Sequence, residues 1–144
     1  MTKEARNVHS RLLIAALLLC IAFLILESVI RIWDLYRLFP LVDLPSHVLS
    51  GMAACALGYW GALRAGAARP KIWAVAFSLA VAFGWEGTEA IQEWLWPDDL
   101  PWLRDYFIWD GVGDVAAALV GTLLSFPYLK ILRRTFKTFK PMDV

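Results

Sequence analysis

The chain has 144 residues, 60% hydrophobic and 14% aromatic, with eight tryptophans, a mean hydropathy of +0.57 and a formal net charge of only +1. So apolar a composition excludes an ordinary soluble domain and implies an integral membrane protein, and the near-neutral balance implies no nucleic-acid partner. Cys20 and Cys55 both stand in apolar runs without a CxxC or Cys/His grouping, so they read as small packing residues rather than a disulfide or zinc site.

A helix needs about 20 residues to cross roughly 30 Å of hydrocarbon, and four stretches meet that length. The first runs from about 11 to 33, RLLIAALLLCIAFLILESVIRIW. Its basic start resembles a signal peptide, but it runs into Glu27 and Arg31 with no A-x-A-like site, so an uncleaved anchor is expected. The second covers 43 to 63 (DLPSHVLSGMAACALGYWGAL), the third 71 to 94 and the fourth 107 to 132. Short connections and no repeats make the whole chain, 1–144, a single membrane domain: an all-α, four-transmembrane-helix antiparallel bundle.

Eleven of the 14 basic residues fall in the N-terminus, the second connection or the C-terminus. With four spans these segments share one side, so the positive-inside rule makes both termini cytoplasmic. Trp33, Trp94, Trp96, Trp102 and Trp109 fit an outer interfacial belt, and Trp60 and Trp73 an inner one. The expected location is a cell membrane, such as a bacterial inner membrane, crossed several times. Acids follow the opposite bias: apart from Glu4 and Asp143, all of them lie in or beside the outer halves of the helices.

A charged side chain at bilayer depth is costly unless it faces the bundle interior and finds a partner, so acids inside spans are candidates for function. On the third helix, in WEGTEAIQEW, Glu86, Glu89 and Glu93 keep i, i+3, i+7 spacing. At 3.6 residues per turn they occupy an arc of about 60°, one inward stripe about 10 Å deep. Asp43 and His47 are one turn apart on the second helix, as are Asp110 and Asp114 on the fourth. An up-down topology brings these groups to one level, in a polar pocket open to the extracytoplasmic face. Asp43 before Pro45 also suits a helix N-cap, as does Asp110 in IWDGVGD, and both roles stay open. Beneath the acids, Gly51, Cys55, Gly58, Ala117, Ala118 and Gly121 are small enough for close helix packing, which would seal the pocket floor.

Several carboxylates with one imidazole suit a divalent cation, which relieves their repulsion and can polarise a phosphoryl oxygen or activate water. No HExxH or ferritin-like pattern is present, and a Ser46 or Ser50 nucleophile with His47 is disfavoured because near neighbours on a helix face different ways.

Asp43-x-x-x-His47, then Glu89-Ala-Ile-Gln92 with Pro97 beyond, then Asp110-x-x-x-Asp114 with Gly121, resembles the VanZ-like membrane proteins and the related YjdF-like proteins over residues 40 to 125. In VanZ-like proteins an asparagine stands where this chain has Asp114, and the extra acids around Glu89 are closer to the YjdF-like pattern. VanZ itself is associated with teicoplanin resistance. The resemblance implies that Asp43, His47, Glu89, Gln92, Asp110 and Asp114 form a site, without specifying its reaction.

The resulting expectation is a metal-dependent membrane hydrolase or phosphotransferase acting on a lipid or lipid-linked cell-envelope head group. Asp43, His47, Glu89, Asp110 and Asp114 would hold the cation, with Glu86 or Glu93 as base; Glu89 and Asp110 would also act in catalysis. Gln92 and Arg104 would meet the substrate. The alternative is an ion or proton relay, a transporter-type protein, or a cation site that only stabilises the bundle. LAVAF, ACALG and AAALVG offer almost no polar continuation toward the cytoplasm, which favours a one-sided pocket unless a homo-oligomer or partner subunit completes the path.

Overall fold

A computed structural model describes residues 3–35, 38–39, 41–95 and 107–138. They form four helices: α1 (Lys3–Ile32), α2 (Leu44–Arg64), α3 (Pro70–Leu95) and α4 (Phe107–Thr138). All four expected helices are present. The middle two match the expected limits to one residue, whereas α1 starts earlier and α4 ends later, because the polar ends KEARNVHS and RRTFKT favour helix well enough to continue it.

The turns have local causes. Just beyond α2, Gly66 has a φ of +70° that lets Ala67 N–H reach back to the Ala62 carbonyl, a closure that a left-handed glycine provides. After α1, Asp34 adopts φ +49° and donates its N–H to Arg31 O at 3.2 Å. Aspartate is one of the few non-glycine residues that tolerates this conformation, so Asp34 helps to end α1 as well as carrying a loop charge.

α2 is the hub, packing against α1, α3 and α4. α4 also meets α3 and, lightly, α1; α1 and α3 make no close backbone approach among the described residues. Helices consecutive in the chain run antiparallel, whereas α2 and α4 run parallel, with His47 facing Asp114 and Gly51 facing Ala118. Gly51 of α2 lies against the backbone of Ala118 in α4, and Val48 against Gly121. At both glycines an added Cβ would collide with a carbonyl, so the close approach of α2 and α4 depends on their having no side chain. Gly58 does the same against Ala74 and Phe77 of α3.

At the end remote from the acids, Leu12, Ala16, Cys55, Ala56, Tyr59, Ala74 and Leu129 form the apolar core. Cys20 and Cys55 are free thiols. Among the described residues, the segments Asn7–Ile32 and Asp110–Leu132 are long and apolar enough to cross a membrane. α2 and α3 fall short in composition: α2 is rich in serine and glycine, and α3 carries its glutamates. Large apolar side chains nonetheless line the exterior, from Ile14, Leu18 and Leu24 on α1 to Phe77 and Phe83 on α3 and Leu123 on α4.

A carboxylate cluster joined across four helices

The site begins where α2 begins. Asp43 occupies the N-cap position, but its side chain makes no capping hydrogen bond. It is 4% exposed, with Oδ2 at 3.7 Å from His47 Nε2 one turn on. The sequence leaves cap and site roles open for Asp43; the fold uses its backbone carbonyl, which accepts from Ser46 and His47 N–H, and turns the carboxylate inward. The same His47 Nε2 lies 3.3 Å from Oδ2 of Asp114 on α4, a residue only 2% exposed. His47 thus stands between two buried acids from different helices.

Asp110, one turn before Asp114, is not an N-cap, because α4 starts at Phe107. In the first turn its charge suits the positive end of the helix dipole. It is half-buried and adds its charge to the same cluster.

From α3, Glu86 and Glu89 enter half-buried. A Cβ at Gly111 would lie 2.6 Å from Glu86 Oε2, so the absence of a side chain at that position on α4 makes room for the carboxylate. Glu89 Oε1 accepts from Trp85 Nε1 at 2.9 Å, which gives Trp85, the one tryptophan outside both expected belts, a polar partner. Glu93 continues α3, but its side chain lies outside the described residues, as does the whole of Arg104. Gln92 is on an exposed part of α3.

α1 supplies two residues that the sequence reading left out of the site. Glu27 is 7% exposed; its Oε1 accepts from Arg31 Nε at 2.6 Å, and its Oε2 accepts from the fully buried Ser46 hydroxyl at 2.9 Å. Arg31 also reaches toward Glu89, with Nη2 3.9 Å from Oε1, and its guanidinium lies 5.9 Å from the Trp85 ring centre. Phe23 meets the same ring edge-on at 6.4 Å. α1 and α3, apart at the backbone, are therefore bridged here by long side chains. The missed signal is plain: Glu27 is a carboxylate within an apolar run, the criterion applied to α3, with a cation one turn away.

Two sets of side chains hold their ligand atoms within 4.8 Å of one another: Asp43, His47 and Asp114, and Glu86, Glu89 and Asp114. Asp43 Oδ1 and Asp114 Oδ1 are buried without a hydrogen-bond partner. Buried carboxylate oxygens are ordinarily satisfied, so these two are the strongest chemical feature of the site.

Below the cluster a row of buried hydroxyls is paired. Ser78 Oγ lies 2.7 Å from Thr122 Oγ1 and 3.1 Å from the Gly51 carbonyl, Thr122 donates to Ala118 O, and Ser125 donates to Thr122 O. The polar content beneath the acids is thus larger than the apolar runs of the sequence imply, and it holds α2, α3 and α4 together.

Comparison with curated proteins and with solved structures gives no match. The family model described as "Predicted membrane protein (DUF2238)" matches residues 4–135, nearly the whole chain. That extent takes in α2, α3 and nearly all of α1 and α4, and on it the chain belongs to the DUF2238 family of predicted membrane proteins.

Proposed function

We propose that this membrane protein crosses the bilayer four times with both termini in the cytoplasm. In this reading it is VanZ/YjdF-like and uses the carboxylate/His cluster, on the extracytoplasmic side, to bind a divalent cation and act on the head group of a lipid or lipid-linked substrate. One observation carries the reading: Asp43 and Asp114 flank one imidazole through their Oδ2 atoms, and each also holds a buried Oδ1 without a hydrogen-bond partner. An uncompensated buried charge costs several kcal/mol, on the order of what a ligand-free ion site must sustain to be ready for its cation. The apolar exterior supports membrane residence, since so extensive an exposed apolar surface suits lipid.

A lipid-borne substrate needs a lateral entrance. The gap between α1 and α3, spanned by Phe23, Trp85 and Arg31 rather than by packed backbone, suits one. Arg31, with its side chain 54% exposed, is positioned to meet an anionic head group, the part assigned from the sequence to Arg104 and Gln92. A bound divalent cation supplies Lewis acidity at a phosphoryl oxygen and charge neutralisation among the acids. Glu86 accepts the proton of an attacking water or hydroxyl. Asp110 and Glu89 steady the polar groups around it, and Ser46 fixes Glu27 so that Arg31 stays at the mouth.

The second reading, an ion or proton relay, has the row Ser78, Thr122 and Ser125 on its side. Against it, these hydroxyls bond to backbone carbonyls or one another as structural groups do. The deciding experiment compares membrane lipid profiles of cells expressing wild-type protein or Glu89→Gln, with the metal content of both purified proteins. The proposal expects a lipid or lipid-linked species to accumulate with the variant and its bound metal to fall. An unchanged profile with altered ion flux would replace it by the relay.

A further inference from the structure

We infer that the cluster is built for two divalent cations, with Asp114 as the ligand they share. Asp43 and His47 complete one position and Glu86 and Glu89 the other, which makes Glu86 a ligand and passes the part of base to the neighbouring Asp110. The inference rests on the reading of the cluster as a metal site and goes beyond it in number, arrangement and chemistry.

Three observations carry it. First, the candidate ligands fall into two sets that have Asp114 in common and no other member. Atoms bound to one hard cation at about 2.0–2.6 Å lie at most about 4–5 Å apart. Each set meets that condition within its own 4.8 Å limit, whereas the five residues do not form one set. Second, Asp114 is almost fully buried, and while its Oδ2 faces His47 its Oδ1 has no partner. A buried carboxylate with one oxygen facing His47 and the other without a partner is free to bridge two ions, which sit about 3.5–4 Å apart in two-metal sites. The orphaned Oδ1 of Asp43, on the His47 side, is a further buried oxygen without a partner.

Third, the charges favour more than one ion. Glu27, Asp43, Glu86, Glu89, Asp110 and Asp114 bring six carboxylates to one end of the bundle, against Arg31 and a single imidazole. Arg31 is committed to Glu27 and Glu89. One divalent ion beside it leaves a large negative excess in a poorly solvated site; two remove most of that excess. The outer contacts fit as well, since Trp85 fixes Glu89 and Ser46 fixes Glu27, as the orienting partners of ligand residues do.

The positions differ in donor type. The Asp43/His47 position has a nitrogen and suits Mn, Fe or Zn, while the Glu86/Glu89 position is all oxygen and suits Mg or Mn. Mn2+ satisfies both and is the probe of choice. Such a pair clamps the attacking and leaving oxygens of a phosphoryl displacement, which narrows the proposed substrate to a phosphoester or pyrophosphate-linked head group.

The test loads full-length protein, purified in detergent, with Mn2+, removes excess ion, and measures Mn per chain together with the EPR spectrum. Two Mn2+ per chain with an exchange-broadened spectrum are expected for wild type. Glu89→Gln, with Glu86→Gln as the substitute if the first variant does not fold, should keep one Mn2+ with the resolved six-line spectrum of an isolated ion. His47→Gln should likewise keep one, and Asp114→Asn should weaken both at least tenfold. One Mn2+ per chain in wild type, lost alike in all variants, overturns the two-ion arrangement and leaves the single-cation reading standing. No Mn2+ in the folded wild type overturns both.

Discussion

The hydroxyl row beneath the acids and the acid cluster itself treat buried polarity in opposite ways. Toward the apolar end, Ser78, Thr122 and Ser125 are buried and bonded, and Gly51 and Gly121 let α2 and α4 touch backbone to backbone. At the acid end, Asp43 and Asp114 are just as buried, yet each keeps an oxygen without a partner, and the acids outnumber the neighbouring cations. The first region is arranged for stability. The second holds buried carboxylates that its own donors do not satisfy, a local departure from stability that functional sites commonly show. The lesson is that depth alone does not mark a functional group: Thr122 at 1% exposure is structural because its hydroxyl is satisfied, and Asp114 at 2% stands out because its carboxylate is not.

The sharpest way to break the comparison is to damage the stable end. Gly121→Val places side-chain atoms where the Val48 carbonyl lies, and backbone has little room to retreat. Overpacking of this kind costs about 1–3 kcal/mol and more where backbone is struck, so the variant should lose most of its folded yield and any bound metal with it. Thermal unfolding followed by tryptophan fluorescence reads the effect. Gly61→Ala, also on α2 but with open space around the new methyl, should be neutral or stabilising by about 0.5–1 kcal/mol. A Gly121→Val protein as stable as Gly61→Ala would remove the α2–α4 contact as the organising feature.

At the acid end the sign of a mutation should depend on the metal. Asp114→Asn keeps size and hydrogen-bonding capacity while removing a buried charge. In chelator it should unfold at a higher temperature than wild type, by about 1–3 kcal/mol of stability. With Mn2+ at about 100 times its dissociation constant, wild type should gain about 2.7 kcal/mol for each of its two ions and overtake the more weakly binding variant. Paired thermal melts in chelator and in Mn2+ would show the crossing of the two proteins. A variant less stable than wild type in both media would mean that Asp114 is a structural acid whose partner is His47.

Much of this contrast is legible before any coordinates, because hydropathy, positive-inside bias and helical spacing are one-dimensional signals. They place Asp43/His47, Glu86/Glu89 and Asp110/Asp114 on three helices at one level, which the fold reproduces. What they do not carry is azimuth between helices. Nothing in the spacing says that Asp43 turns inward instead of capping, or that His47 lies between Asp43 and Asp114. Glu27 and Arg31 escape because they end the first apolar run, where a charge reads as an anchor boundary; only the pairing of α1 with α2 shows Glu27 bonded to Ser46. The hydroxyl row escapes for a related reason. Ser78, Thr122 and Ser125 are single polar residues in apolar segments, and their alignment exists only after three helices are packed.

Ser78→Ala tests whether that row is only structural. It leaves Thr122 bonded to the Ala118 carbonyl and frees the Gly51 carbonyl of one donor, a loss of about 1 kcal/mol. Bound metal and lipid profile should match wild type. Altered ion movement with unchanged stability would instead make Ser78 part of a path through the bundle and favour the relay.

The smallest expected effect separates two roles of Arg31. As a charge, it competes with a divalent ion for Glu27 and Glu89; as a donor, it orients both. Arg31→Gln removes the charge and keeps some donor capacity. Because the Arg31 side chain is more than half exposed, its field is largely screened, and the change in metal affinity should be only about two- to fivefold. If competition dominates, affinity for Mn2+ rises in low salt and the difference shrinks as ionic strength grows. If orientation dominates, affinity falls at every salt concentration, as when an outer partner of a metal ligand is lost. A Mn2+ titration of both proteins across a salt series distinguishes the two. A fall that salt does not alter would join α1 to the acid end as a working part of the site, whereas a rise would leave it as the wall that shields the cluster from lipid.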